Sequence, residues 1–205
     1  MVRRINIKCP ALSPTAIVSD DPHLAAALSC ALARRGSYVC VLDGPRLTRP
    51  DAIRRTNALA RIKASITLLA GLSPTSEAVM QARLPKGRAP VVDQSHVRVL
   101  AAANGKQDAP QLRWGHDRIG LGVLKAMYAR QLITFTDEPS PQDYVPSRSG
   151  HVVVCEAGEP LSEVIAANYA YALGAGLHVI NETRETTLLK AVYVSPFQSS
   201  LAGRN

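Results

Sequence analysis

Aromatic residues make up only 4% of this 205-residue chain. So few rings leave little for stacking single-stranded nucleic acid, and the net charge of +8 reads first as solvated surface. No run of about 18 apolar residues escapes a breaker, so no membrane-spanning helix and no membrane partner are expected. The basic start, MVRRINIKCPALSP, has no long apolar stretch before Pro10 and Pro14, which argues against a secretory signal. Cysteine is sparse: Cys9, Cys30, Cys40 and Cys155 form no CxxC and no Cys/His ligand pair. His23, His96, His151 and His178 show no ligand spacing either, so no metal is expected. Buried reduced thiols in a reducing, cytoplasmic compartment are the expectation. No GxxxxGK[ST] loop is present, and the first acidic turn, VSDDPH, lacks the dinucleotide glycine fingerprint. A P-loop nucleotidase and a standard NAD dehydrogenase are both disfavoured.

Short β-branched runs alternating with helix-length segments are what the chain does contain. Thr15–Ser19 reads as a strand, Pro22 opens a helix that Gly36 closes, and Tyr38–Leu42 is the next strand. A basic helix follows Pro50, with Arg54, Arg55, Arg61 and Lys63 mostly outward; it is a candidate nucleic-acid contact over residues 51–63. Ser65–Ala70 reads as a third strand, and the next helix has a capping-box-like start at Ser73 or Thr75 ahead of Glu77. The middle is less regular, with a short strand at Ala89–Val92, a helix at His96–Ala103 and a loop at 104–110. A helix over His116–Arg130 and a strand at Leu132–Thr136 follow. The segment Pro139–Gly150 holds three prolines and reads as a functional or mobile loop. His151–Cys155, Pro160–Leu173 and Leu177–Ile180 form a β-α-β unit. Asn181–Lys190 reads as a short helix, Ala191–Val194 as a last strand and 196–205 as an irregular tail.

Repeated β-α units predict an α/β domain, doubly wound and Rossmann-like, with a mainly parallel sheet of about five to seven strands. One domain over residues 1–205 is expected, with sub-units at 1–100 and 110–195. In such a sheet, ligands bind outside the carboxyl ends of the strands. Those ends carry Asp20, Asp21, Asp43, Gly44, Gly71, Asp137, Glu138, Glu156 and Gly158. Asp43, closing the second strand, stands where dinucleotide-binding folds keep a ribose-binding acid. Short polar residues also make good turns and caps, which is the plainer account of any one of them.

Thr15–Leu42 resembles the opening of a response-regulator receiver domain, but its third strand, SITLLAGL, ends in no phosphoacceptor aspartate. The stretch EAGEPLSEVIAANYAYALGAGLHVI is similar to the strand–loop–helix–strand of nucleoside deoxyribosyltransferases and of TIR and SLOG domains. Ala170, Ala172, Leu173 and Gly174 match that family's A-x-A-L-G ending. The resemblance implies a glutamate acting on the sugar carbon of an N-glycosidic bond. The family position falls on Ala166; Glu163 lies one turn earlier on roughly the same face and is the candidate catalytic residue.

The resemblance therefore implies a nucleotide- or NAD-related ligand; Asp20, Asp21, Asp43 and Gly44 at the strand ends, with Glu156, Gly158, Ser162 and Asn168 of the resembling stretch, are the candidates to hold it. Its setting would be a bacterial antiviral defence or nucleotide-signalling system, with binding favoured over N-glycosidic cleavage because the glutamate is out of register. A homo- or hetero-oligomer is expected. The alternative is a non-catalytic structural subunit of a larger, nucleic-acid-associated assembly.

Overall fold

The computed structural model describes residues 15–44, 64–84, 89–102, 110–141 and 144–180, which hold five α-helices and nine strands. The expected helices at 51–63 and Asn181–Lys190, the Ala191–Val194 strand and the tail lie outside those residues.

The first sheet is built from β1 (Thr15–Ser19), β2 (Val39–Asp43), β3 (Ile66–Ala70) and β4 (Val91–Val92). They run in the order β2-β1-β3-β4, all parallel. Side chains along a strand point alternately to its two faces. Ile17 joins the large apolar cluster that includes α1 (Pro22–Arg34). Ala16 and Val18 point the other way, into a cluster with Leu69 and with Met80 of α2 (Pro74–Arg83). Both faces of β1 are therefore covered, which is why its sequence shows no polar alternation.

Helix α1 is central. Nine of its 13 residues are buried, Leu24–Ala26 and Leu28–Ala33. It meets β1 and β2 along one side, and α3 (Gln94–Ala102), α4 (Ile119–Ala129), α5 (Pro160–Leu173) and β6 (Leu132–Thr136) along others. An alanine-rich sequence, HLAAALSCALA, suits a helix touched on so many sides, because small side chains let neighbouring elements approach.

The C-terminal half departs from the expected single sheet. β5 (Gln111–Gly115) pairs in parallel with β6 alone. β8 (Val152–Glu156) pairs in parallel with β9 (Gly176–Ile180), and β7 (Tyr144–Val145) adds to β9 in antiparallel. Among the described residues there are thus three sheets, the largest of four strands, in place of one sheet of five to seven. Exposed Gln111, Arg113 and Thr134 give the β5–β6 pair polar positions along its length, while Trp114 and Ile133 turn inward.

Helix boundaries shift for identifiable reasons. Helix α3 begins two residues before the expected start because Asp93 caps it, accepting from the Ser95 N–H at 2.8 Å and the Ser95 hydroxyl at 2.6 Å. The helix expected over His116–Arg130 begins as a 3₁₀ turn, His116–Arg118, before α4 proper. Ser73 caps α2 and Gly174 (φ 63°) closes α5. Helices α4 and α5 meet closely at Gly120, where a Cβ would lie 2.6 Å from the Glu163 carbonyl oxygen. One apolar cluster runs from Ile17 through α1, α4 and α5 to Val179, so the two halves share a core.

Candidate functional site

Parallel pairing brings the carboxyl ends of β1, β2 and β3 to one edge, with Ser19 opposite both Asp43 and Ala70. The Gly44 N–H donates to the Ser19 carbonyl at 2.8 Å, extending the β1–β2 contact by one residue. A Cβ at Gly44 would run into the Asp20 carboxylate, so glycine is what allows that approach. Asp20, Asp21, Asp43 and Gly44 are thus neighbours. Asp21 already has work to do: its Oδ1 accepts from the N–H groups of His23 at 2.9 Å and Leu24 at 3.1 Å. That carboxylate answers the positive end of α1, leaving this helix terminus poorly suited to a pyrophosphate.

Glu163, the candidate catalytic residue, is deeply buried. It is 2% exposed, and its Oε2 accepts from the Gly120 N–H at 3.0 Å. Gly120 is the second residue of α4, whose N-cap, Arg118, makes no side-chain capping bond. The carboxylate therefore caps one helix from another. Burial pushes its carboxyl above the usual glutamate range, against the pull of the Gly120 N–H and the Arg118 guanidinium. Arg118 in turn donates from Nη1 to the Val179 carbonyl at 2.8 Å, and its own carbonyl accepts from the Trp114 indole at 2.8 Å. The nearby Cys155 thiol is pushed up to about 12 by burial and then by the charge of Glu163.

Glu156 ends β8 and is exposed, Gly158 turns the following loop at φ 100°, and Ser162 is exposed in the first turn of α5. Asn168 sits apart from them. Its Nδ2 donates to the Ser29 hydroxyl and the Val164 carbonyl, both at 2.9 Å, inside the α1–α5 packing. Its Oδ1 is buried without a partner.

Sequence reasoning passed over a histidine pair on the same side of the molecule. His23 follows β1 and His116 follows β5, and His23 Nε2 lies 2.9 Å from His116 Nδ1. Phe135 of β6 packs against both rings, at centroid distances of 5.1 and 5.6 Å. Beside them, Asp117 Oδ1 accepts from the Ser140 N–H at 2.9 Å and its hydroxyl at 2.7 Å. Burial pushes Asp117 up, but those bonds outweigh it and hold the carboxyl below its usual range. The signal that finds the pair is position after a strand end, visible for His116 only once β5 is recognised.

At the opposite end of α4, Arg148 stacks 4.1 Å over the Tyr128 ring and donates to the Tyr128 carbonyl at 3.1 Å, tying down part of the proline-rich loop. Among the described residues no group of three or more His, Cys, Asp or Glu side chains is placed to hold a metal ion, and no helix is long and apolar enough to cross a membrane. No protein-family model, no curated protein and no solved structure matches this chain.

Proposed function

We propose that the chain is a doubly wound, Rossmann-like domain that binds a nucleotide- or NAD-related ligand along the carboxyl edge of its parallel strands. The observation that carries this reading is the convergence of Asp20, Asp43 and Gly44 at the ends of β1 and β2, the edge where open α/β sheets take ligands. Binding is favoured over N-glycosidic cleavage. Glu163 is buried and its carboxylate already holds the Gly120 N–H, so it supports the fold of the edge rather than attacking a sugar carbon.

Thermal unfolding against NAD, ADP-ribose, nucleotides and cyclic nucleotides tests this. A ligand that binds only the folded state adds about 2.7 kcal/mol of stability at a hundredfold excess over its dissociation constant. The melting temperature should rise with one of them, and the rise should vanish in Asp43→Ala. A flat response across the panel sinks the reading.

A second reading, a subunit of a larger assembly, draws on the outer face of β7, β9 and β8. There Tyr144 is 40% exposed beside His178, which is paired in turn with half-buried Val154. Size-exclusion chromatography with light scattering tests it: self-association lost in Tyr144→Lys favours the subunit, and a monomer at high concentration counts against self-assembly through this face.

A further inference from the structure

We infer that the outer face of α5 is an interface for a second copy of this chain, the two helices packing antiparallel about a two-fold axis. Pro160–Leu173 carries one charged residue, Glu163, and that one is buried. What the helix leaves at the surface is uncharged: Ser162, Ile165, Tyr169 and Ala172, with Tyr169 57% exposed. A surface helix ordinarily turns charged side chains to solvent on that side.

These four positions recur at intervals of three, four and three residues, the spacing of a helix–helix seam. The series reads the same in both directions. Set antiparallel about its midpoint, it places Ile165 of each copy against Tyr169 of the other, and Ser162 against Ala172. Bulky side chains then meet at the centre and small ones at the ends.

Charge at the two ends of α5 fixes the direction. Exposed Glu156 and Glu159 stand at its start. β2 runs alongside in the opposite sense, with Tyr38 before its first residue 5.6 Å from the Tyr171 ring and Asp43 at its finish, toward that acidic end. Exposed Arg148 stands at the other end: its N–H donates to the Gly174 carbonyl at 2.9 Å, and its guanidinium lies on Tyr128, whose ring is 5.6 Å from Tyr171. Exposed Arg130, which closes α4, is near enough to act on the Tyr171 hydroxyl. Antiparallel pairing sets each acidic end beside the other copy's basic end, whereas parallel pairing sets like beside like. With a net charge of +8, two copies are also least opposed where a face holds no charge. The face is thus complementary to itself, as a two-fold interface must be. Tyr144 is not part of it: Val145 and Leu177 turn into the core that α5 shares, so Tyr144 lies on the far side of its sheet.

Sedimentation equilibrium of the full chain should show a monomer–dimer equilibrium. Tyr169→Glu should raise its dissociation constant about a hundredfold, tenfold for each copy of an aromatic anchor. Tyr169→Phe should leave it nearly unchanged, and Ser162→Arg, at a second exposed position, should weaken it as well. At dilutions where the wild type is monomeric all three variants should melt as it does, which separates a lost contact from a lost fold. Isotope-filtered NMR on mixed labelled and unlabelled chains should place the Ile165 methyls of one copy against the Tyr169 ring of the other. A monomer at every concentration, a dimer indifferent to Tyr169→Glu, or a dimer lost in Tyr144→Lys instead overturns the interface. Contacts between Ser162 and its own counterpart overturn the antiparallel direction. None of these outcomes depends on whether a nucleotide-type ligand is bound.

Discussion

Glu163 shows how much one buried carboxylate decides. It answers an orphan N–H of α4 from the first turn of α5, in a position where water cannot substitute. Glu163→Ala should cost about 1–3 kcal/mol through the unpaired Gly120 N–H alone, measured by urea denaturation. Its pH dependence has a definite sign. A carboxyl raised in the folded state binds its proton more tightly there, so its contribution is full below the ordinary glutamate range and is lost as pH rises through the folded value. Glu163→Gln keeps an acceptor and removes the titration. As pH rises above the ordinary glutamate value of about 4.3, wild-type stability should fall relative to the variant; parallel curves would mean that Glu163 is not desolvated.

The sequence made Glu163 a candidate by its place on the helix, yet hid what surrounds it. Nothing in SEVIAAN says that Gly120, some forty residues earlier, will offer it an N–H. The same holds for His23 and His116, whose pairing is hidden until two distant strand ends are set side by side. Asp20, Asp43 and Gly44 were legible because a parallel β-α-β unit fixes where a strand ends. Asn168 is held in helix packing, where its amide N–H bonds Ser29 of a neighbouring helix, a contact that the sequence does not show.

Among the elements, α4 carries two tests with opposite signs. Gly→Ala in a helix ordinarily stabilises, since glycine costs roughly 0.5–1 kcal/mol of backbone entropy there. At Gly120 the added Cβ would meet Glu163 backbone at 2.6 Å, so Gly120→Ala should instead destabilise by about 1–3 kcal/mol. Arg130, which closes the same helix, holds φ 55° without being glycine. Arg130→Gly removes that strain and should stabilise by up to about 1 kcal/mol, read as a rise of a few degrees in melting temperature. Strong β-α periodicity made β1, α1, β2, β3, β6, β8, α5 and β9 readable. β5 and β7 were not, because QLRWG lacks β-branched residues and YV stands among prolines, where pairing partners decide the structure and local preference does not.

Across the whole molecule, the common core makes a claim about cooperativity. Leu28 is fully buried in α1, in the cluster that joins both halves. Leu28→Ala should cost about 2–5 kcal/mol and shift the unfolding of both halves together. Hydrogen exchange resolved along the chain would show it; loss of protection confined to one half would mean two independent cores. The sequence led to one domain with two sub-units but did not show what joins them, because linker composition is visible in a sequence and shared burial is not.

Helix α1 has a further consequence for how the protein is made. Translation delivers it ahead of α4 and α5, which also pack against it and emerge roughly 85–140 residues later, about 5–30 s at ordinary elongation rates. Through that interval a stripe of alanine, leucine and cysteine has no permanent neighbour. Nascent chains stalled soon after β4 has left the ribosome should bind a holdase chaperone at α1, and chains released after α5 should not.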